Sequence, residues 1–385
     1  MKSLDSITIH QFRGLRDLEL KDLGRINLLV GINNSGKTSV LEALEIYCHP
    51  LDIRVWFSTA LQRSSESRQD PMDALRWLFT RYAEPVNPEM NKPTILISSD
   101  GDYFITQLKA SYEQIEGISL STNKKRSNSI NITNIEIDHD DSPGLRKGID
   151  FKIEVYTKQL QLQLFDNTTN FPHFIETFQL WENEVFPFPS KKRDPHLSLH
   201  TSTVTPVSHR FESQFRLFSD ARFKNFKVDV LELLQKIDNN ILDIEILLPP
   251  QSTSTFNIYI QHKKLGLAPV SSFGDGIRRL LHIALKLASV KGGILLIDEL
   301  ESTIHTEALQ NSFQWLVKWC QEMDVQLFAT THSLEAVDAL LEVTESDSDL
   351  VLYRLEPKEE KTKVVRHDGH RLRRLRQELG EEVRW

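Results

Sequence analysis

The apolar run Ile26-Asn27-Leu28-Leu29-Val30 stops at Gly31, and the next residues read Gly31-Ile-Asn-Asn-Ser-Gly36-Lys37-Thr38. No other stretch restricts the fold as tightly. It is the pattern of a buried strand that turns through a glycine loop into a helix. Val40, Leu41, Ala43, Leu44 and Tyr47 follow at three-and-four spacing and predict a helix from Gly36 to Tyr47. The glycines let backbone N–H groups close around phosphate oxygens at the helix start. Lys37 can then reach β- and γ-phosphates, and Thr38 offers a hydroxyl to Mg²⁺. Gly31, Asn33, Asn34, Ser35, Gly36, Lys37, Thr38 and Ser39 are the candidate nucleotide contacts.

Two further apolar runs end in chemistry. In "GGILLIDELEST", residues 292–303, Ile294–Ile297 stops at Asp298-Glu299. Carboxylates at the end of a buried strand need a reason, because ions are costly to bury. Beside a phosphate loop the reason is Mg²⁺ on Asp298 and an attacking water on Glu299. In "VQLFATTHSLEAV", residues 325–337, the strand ends at Thr330-Thr331-His332-Ser333, and His332 is a second candidate catalytic residue. The three strand ends would share one edge of a parallel sheet, where open α/β sheets bind ligands.

A fourth segment, "SSFGDGIRRLL", residues 271–281, is a glycine-punctuated helix start and so an anion site. Its candidates are Ser272, Gly274 and Gly276, the last lying 22 residues before Asp298. About 260 residues separate Lys37 from Asp298. Compact nucleotide switches and ring-forming ATPases keep the two motifs closer. The wide spacing with a glycine-rich segment before the second motif resembles the ATP-binding-cassette ATPases. In that family the segment faces the ATP of a second subunit. Where Ser-Gly-Gly usually stands, this chain has Gly274-Asp275-Gly276.

"ITIHQFRGLRDLEL…INLLVGINNSGKTSVLEAL" looks like the start of the SMC, RecF and OLD (overcoming-lysogenization-defect) ATPase heads. "LLIDELESTIH" followed by "FATTHS" is most similar to the OLD branch, with Leu300 and Thr306 in place of its prolines and with Glu301 and His305 kept. The resemblance covers residues 1–50 and 265–355. It implies an α/β P-loop NTPase of ABC ATPase type: a mixed sheet core, an antiparallel β part and a largely helical inserted lobe. It also implies ATP and Mg²⁺, hydrolysis to ADP and phosphate, and a homodimer or higher homo-oligomer with ATP sandwiched at its interface. Full-length OLD nucleases carry a C-terminal TOPRIM domain; the residues after the strand Leu350–Leu355 are too few for one, so the expectation is a stand-alone ATPase. Such members commonly serve as sensor or regulatory scaffold of a bacterial anti-phage system whose separate effector is a TOPRIM-like nuclease. Two rivals are a RecF-like DNA-binding repair ATPase and a self-contained metal-dependent nuclease with carboxylates hidden in 90–165. The acidic run at 136–144 reads better as a solvated turn.

The rest of the chain is less specific. Ser6–Ile9 and Leu18–Leu20 suggest an antiparallel ribbon. Residues 51–90 read as helical, with Trp56, Leu61, Leu75 and Leu78 as core, and 94–164 as strands with an exposed polar loop at 121–148. Residues 166–208 show no clean period and read as a long loop or insertion. A helix is expected at 219–239 and strands at 243–248 and 255–262. The domain division expected is an ATPase core of 1–50 with 265–385, and an inserted lobe of 51–264. In the tail, Arg366, Arg371, Arg373, Arg374 and Arg376 lie beside a Leu372, Leu375, Leu379 stripe, which fits either a docking face or a helix closing the domain. Lys124–Arg126 and Lys191–Arg193 read as solvated loops. The net charge of −8 argues against unassisted nucleic-acid binding but leaves a local basic groove, and so nucleic acid, open as a partner. Two distant cysteines, Cys48 and Cys320, exclude a disulfide scaffold and suit a reducing compartment. With no apolar h-region and no run near the ~18 residues of a membrane span, a cytoplasmic protein without a membrane partner is expected.

Overall fold

The structure is a computed structural model and describes residues 2–63, 71–79, 93–117, 146–158, 173–182, 197–249, 256–358 and 361–385. The chain opens with β1 (Ser6–Phe12), β2 (Leu15–Leu20) and β3 (Ile26–Val30), then α1 (Lys37–Cys48), α2 (Ile53–Leu61) and α3 (Pro71–Arg76). Next come β4 (Thr94–Asp100), β5 (Ile105–Gly117), β6 (Arg146–Thr157), β7 (Phe174–Trp181) and β8 (Thr201–Val204). Helices α4 (Ser208–Phe211), α5 (Phe215–Phe223) and α6 (Lys227–Ile237) precede β9 (Ile241–Leu247), β10 (Asn257–His262) and β11 (Gly266–Pro269). The chain then runs through α7 (Asp275–Ser289), β12 (Ile294–Ile297), α8 (Thr306–Glu322), β13 (Gln326–Thr330), α9 (Leu334–Val343), β14 (Leu350–Pro357), β15 (Thr362–Asp368) and α10 (Gly369–Arg373).

The central sheet has the order β15-β14-β3-β13-β12-β8. Its strands are parallel except β15, which is antiparallel to β14. Every residue of β3, β12 and β13 is buried, because both faces of the sheet are covered. Leu29, Ile294, Leu296 and Phe328 pack toward α1 and an antiparallel sheet of order β2-β1-β4-β5-β6-β7. Ile26, Leu28, Val30, Leu295, Ile297, Leu327 and Ala329 pack on the other side with α6, α7, α8 and α9. This two-faced burial is why the three motif strands read as mainly apolar runs with no two-residue alternation. A small sheet, β11-β10-β9, lies before α7.

The structure corrects several expectations. The segment read as a loop at 166–208 holds two strands. β7 places Phe174, Phe178 and Leu180 on one face and pairs with β6, Phe178 opposite Phe151, but Glu176 on that face and Ile175 on the exposed one blur the two-residue period. β8 is four residues long, too short to show a period, and is fixed by parallel pairing to β12. The single helix expected at 219–239 is two, broken at Asn225, whose φ of +59° cannot continue a helix. Trp56, Leu75 and Leu78 are core as expected, while Leu61 is 36% exposed. Strand pairing also crosses the divisions expected at 50 and 265: β1 and β2 join β4–β7, and β8 joins the central sheet. Sequence periodicity carries no record of which open strand edge a segment will meet.

Arg366 lies in β15, and Arg371 and Arg373 in α10. Arg373 pairs with Asp347 and Arg376 with Asp338 at 2.8 Å, so this part of the tail is tied into its own chain. Leu372 is buried and Leu379 exposed. The acidic run at 136–144 and the basic runs at 124–126 and 191–193 lie outside the described residues. No helix among the described residues is long and apolar enough to cross a membrane.

Candidate active site

The loop between β3 and α1 depends on its glycines. Gly31 has φ +145°, and a Cβ there would stand 2.6 Å from the Leu355 carbonyl oxygen and 2.7 Å from Ser35 Oγ. Gly36, the residue before α1, has φ +94°, and Asn34 has φ +64°. The free N–H groups of the first turn of α1 therefore follow directly on the loop. Lys37 is 6% exposed and donates to the carbonyl oxygens of Gly31 (2.8 Å) and Ile32 (2.9 Å). Burial pulls its pKa down, against the pull of Asp298 and Glu299. Asn33 and Asn34 are exposed at the rim, Ser35 is buried, and Ser39 Oγ accepts from Arg63.

In the sheet, β13 lies between β3 and β12, which brings the three expected strand ends together. Thr38 Oγ1 is 3.2 Å from each carboxylate oxygen of Asp298. From the middle strand, the buried Thr330 hydroxyl donates to Asp298 at 2.6 Å and accepts from the Glu299 backbone N–H at 2.8 Å. Glu299 is exposed and has φ +52°, in the left-handed region that costs a non-glycine residue about 1–2 kcal/mol. Glu301 accepts from Thr331 Oγ1 (2.8 Å) and from the His332 backbone N–H (2.9 Å), and so ties the turn after β12 to the turn after β13. Arg384 donates to the His332 carbonyl. The His332 imidazole makes no hydrogen bond to a described residue. The hydroxyl of Thr38 and the carboxylate of Asp298 are hard oxygen donors on facing elements, a set that suits Mg²⁺. No group of three or more metal-ligating side chains occurs among the described residues, so such an ion would take its remaining ligands from phosphate and water.

The glycine-rich segment also forms as a helix start. A short 3₁₀ turn at Val270–Ser272 leads to Gly274, the residue before α7, and no side chain caps the helix there. Gly274 is exposed with open space around its Cα, and Ser272 is exposed. Gly276 differs: a Cβ there would lie 2.9 Å from the Thr303 carbonyl oxygen of the same chain. Asp275 is held by Arg210 and Arg278, which keep its carboxyl below the usual range.

Beside the phosphate loop lies a cavity of about 260 Å³, whose lining includes Arg13, Arg16, Arg63, Lys358 and Lys361. Arg13 and Arg63 are both held by Glu42 of α1, 2% exposed, at 2.8 and 2.7 Å. Burial raises the Glu42 pKa and the two arginines oppose the rise. None of this basic wall was legible in the sequence, where Glu42 reads as one more polar helical residue. Thr330 was quoted only as the end of a strand, and Glu301 only as a feature shared with relatives.

A protein of Helicobacter pylori named ATP/GTP phosphatase is 21% identical over 357 residues, 88% of each chain. An uncharacterized protein of Methanocaldococcus jannaschii is 45% identical over 69 residues, 18% of this chain and 60% of that one. Among solved structures, the Smc head domain with an extended coiled coil, bound to the C-terminal domain of ScpA and derived from Pyrococcus furiosus, is 9% identical. It has a TM-score of 0.49, covering 99% of this chain and 100% of that one. A family model described as "AAA domain, putative AbiEii toxin, Type IV TA system" matches residues 26–338. With that match over most of its length and a phosphate loop, acidic strand end and threonine bridge gathered on one sheet edge, the chain belongs to this AAA-domain family and is a P-loop ATPase.

Proposed function

We propose that the chain dimerises around two ATP molecules and that hydrolysis at this interface regulates a separate effector protein, in a bacterial anti-phage system of OLD-like type. The observation that carries the dimer is the start of α7. A fifteen-residue helix begins at an exposed glycine, with no side-chain cap from the described residues. Such a terminus favours an anion, and the γ-phosphate of a second copy's nucleotide is an anion of the right kind. In this reading Lys37 holds the β- and γ-phosphates, and Thr38 and Asp298 hold Mg²⁺, which neutralises developing charge. Glu299 takes the proton of the attacking water, and His332 contacts the γ-phosphate region. The basic wall of Arg13, Arg16 and Arg63 borders the remainder of the nucleotide. The family description, with its "putative AbiEii toxin, Type IV TA system", supports a separate partner. The Helicobacter pylori relative's name supports nucleotide hydrolysis as the output of the site.

Glu299→Gln keeps the shape of the side chain but cannot take the proton, so ATP should persist and the dimer should accumulate. Sedimentation with and without ATP reads this directly. Gly274→Asp should block the dimer while sparing ATP binding, since a carboxylate in the γ-phosphate position is repelled. Gly274 is the place for this test: at Gly276 any side chain first meets Thr303 of its own chain. A Glu299→Gln protein that stays monomeric in saturating ATP would refute the dimer. A native assembly holding this chain alone would refute the effector.

A further inference from the structure

We propose that Arg279 is a positioning residue for ATP hydrolysis: from the helix that begins at Gly274, its guanidinium holds the backbone of the Asp298–Glu299 turn of the same chain in the reactive geometry.

Arg279 is fully buried, yet every acceptor it uses is a backbone carbonyl. One terminal nitrogen donates to Thr205 at 2.9 Å; the other donates to Asp298 at 2.9 Å and to Glu299 at 2.6 Å. Thr205 follows β8 and Glu299 follows β12, which are adjacent parallel strands. One planar group therefore pins two neighbouring strand ends. Burial pulls its pKa down to about 10, against Glu299, Glu301 and Asp298, so it stays charged at neutral pH. A buried cation without an ion-pair partner among the described residues is expensive. What it gains is three carbonyls drawn to a fixed place, two of them on a turn whose Glu299 is in the left-handed region. Left to itself that turn would relax, and the carboxylates on it would move with it. The residue also lies just over one helical turn from Gly274, so the glycine start and the carboxylate turn are linked through one rigid helix.

Arg279→Lys keeps the charge, but a single ammonium cannot reproduce the planar fork. The expected result is a kcat lower by about tenfold or more, because displacements near 1 Å are costly in catalysis. ATP affinity should stay within about twofold, since Lys37 and its loop are untouched. Arg279→Gln should behave the same way. Mixing experiments separate the two ends of α7, and this part rests on the dimer proposed above. Each site would take its P-loop and carboxylates from one copy and its α7 start from the other. Mixed with Lys37→Ala, the Gly274→Asp protein should recover activity, because one site is then whole. Mixed with Lys37→Ala, the Arg279→Lys protein should not, because the intact Lys37 sits beside the disturbed carboxylate turn of its own chain. Equal recovery in both mixtures would place the effect of Arg279 at the partner's nucleotide and overturn the proposal. Failure of the Gly274→Asp mixture, with mixed dimers formed, would instead sink the reading that each site is shared between two copies. Arg279 would then be judged by Arg279→Lys alone, where wild-type kcat overturns the proposal and lowered kcat at unchanged ATP affinity upholds it. Loss of folding or of ATP binding in both Arg279→Lys and Arg279→Gln would make it a packing residue and overturn the proposal as well.

Discussion

Thr330→Val tests the bridge at the centre of the site. Valine has nearly the shape of threonine and fits a strand, so the packing of β13 should survive. The hydroxyl donates to the Asp298 carboxylate at 2.6 Å and accepts from the Glu299 N–H at 2.8 Å. A hydrogen bond to a charged group contributes about 1.5–3 kcal/mol, and a buried donor left without an acceptor costs about 1–3 kcal/mol. Glu299 is exposed, so water can replace part of the second loss. The sum is about 2–4 kcal/mol, divided between the fold and the hold on the metal ligand. If roughly 1.4 kcal/mol of it falls on Asp298, the Mg²⁺ concentration for half-maximal ATPase rises about tenfold. Urea unfolding gives the first part and a Mg²⁺ titration of ATPase activity gives the second. Thr330→Ser restores the hydroxyl and should recover most of both. A valine variant within about 0.5 kcal/mol of wild type, the usual range for an unremarkable surface change, and with an unchanged Mg²⁺ midpoint, would refute the bridge.

Lys37→Ala removes the ammonium from the loop and should weaken ATP binding about a hundredfold or more with the circular dichroism spectrum unchanged; calorimetric titration with ATP checks it, and retained affinity contradicts the nucleotide site. His332→Ala should slow turnover about tenfold without weakening ATP binding; the turn itself should persist, because Glu301 and Arg384 hold the backbone of residue 332 rather than its ring. His282 should make the fold acid-sensitive. It is fully buried, and burial, aided by Lys286, His209 and Arg279, pushes its pKa down from 6.5 to about 3; Glu212 lies 3.8 Å away. The unfolded chain takes a proton near pH 6.5 and the folded chain does not. The stability is thus complete above about pH 6.5 and is lost as pH falls toward 3, by about 1.4 kcal/mol per pH unit. His282→Leu should flatten that slope in urea unfolding at pH 7, 6 and 5, and an unchanged slope would show that His282 does not cause it.

What could be read from the sequence and what could not divides along a physical line. Gly31–Thr38, Asp298 and the strand ending at Thr330 were legible because each is a local signal: a run buried on both faces that stops at a residue type with one plausible use. Their meeting on one sheet edge followed from α/β architecture. That β13 stands between the other two did not, and so the bridging role of Thr330 stayed hidden. Arg279 was hidden for a similar reason. In "IRRLL" its neighbour Arg278 is partly exposed and pairs with Asp275, and only the tertiary packing turns Arg279 inward. The wall formed by Glu42, Arg13 and Arg63 joins residues from the ribbon, α1 and the end of α2, none of which carries a motif. Gly274 and Gly276 looked equivalent until the Thr303 carbonyl separated them.

The position of β3 has a consequence for how the chain is made. Its two neighbours in the sheet are β13 and β14, with Ile26 opposite Leu327 on one side and Leu350 on the other. The bond between Asn27 and Leu327 spans 300 residues. At about 5–20 residues per second on the ribosome, the nascent strand waits some 15–60 s for its first partner. For that time a strand that is wholly buried in the finished fold has both edges open, the condition that invites pairing with a foreign chain. Asn27 offers one local answer: its side chain accepts from the Gly24 N–H and donates to the Gly24 carbonyl, a short-range brace at the head of β3. Nucleotide cannot rescue the fold early, because Asp298 and Thr330 lie more than 260 residues after Lys37 of the phosphate loop and arrive late. A fragment ending before residue 320 would carry every residue of the phosphate loop and neither of the strands that hold it in place, and it should be recovered in inclusion bodies rather than as a nucleotide-binding protein.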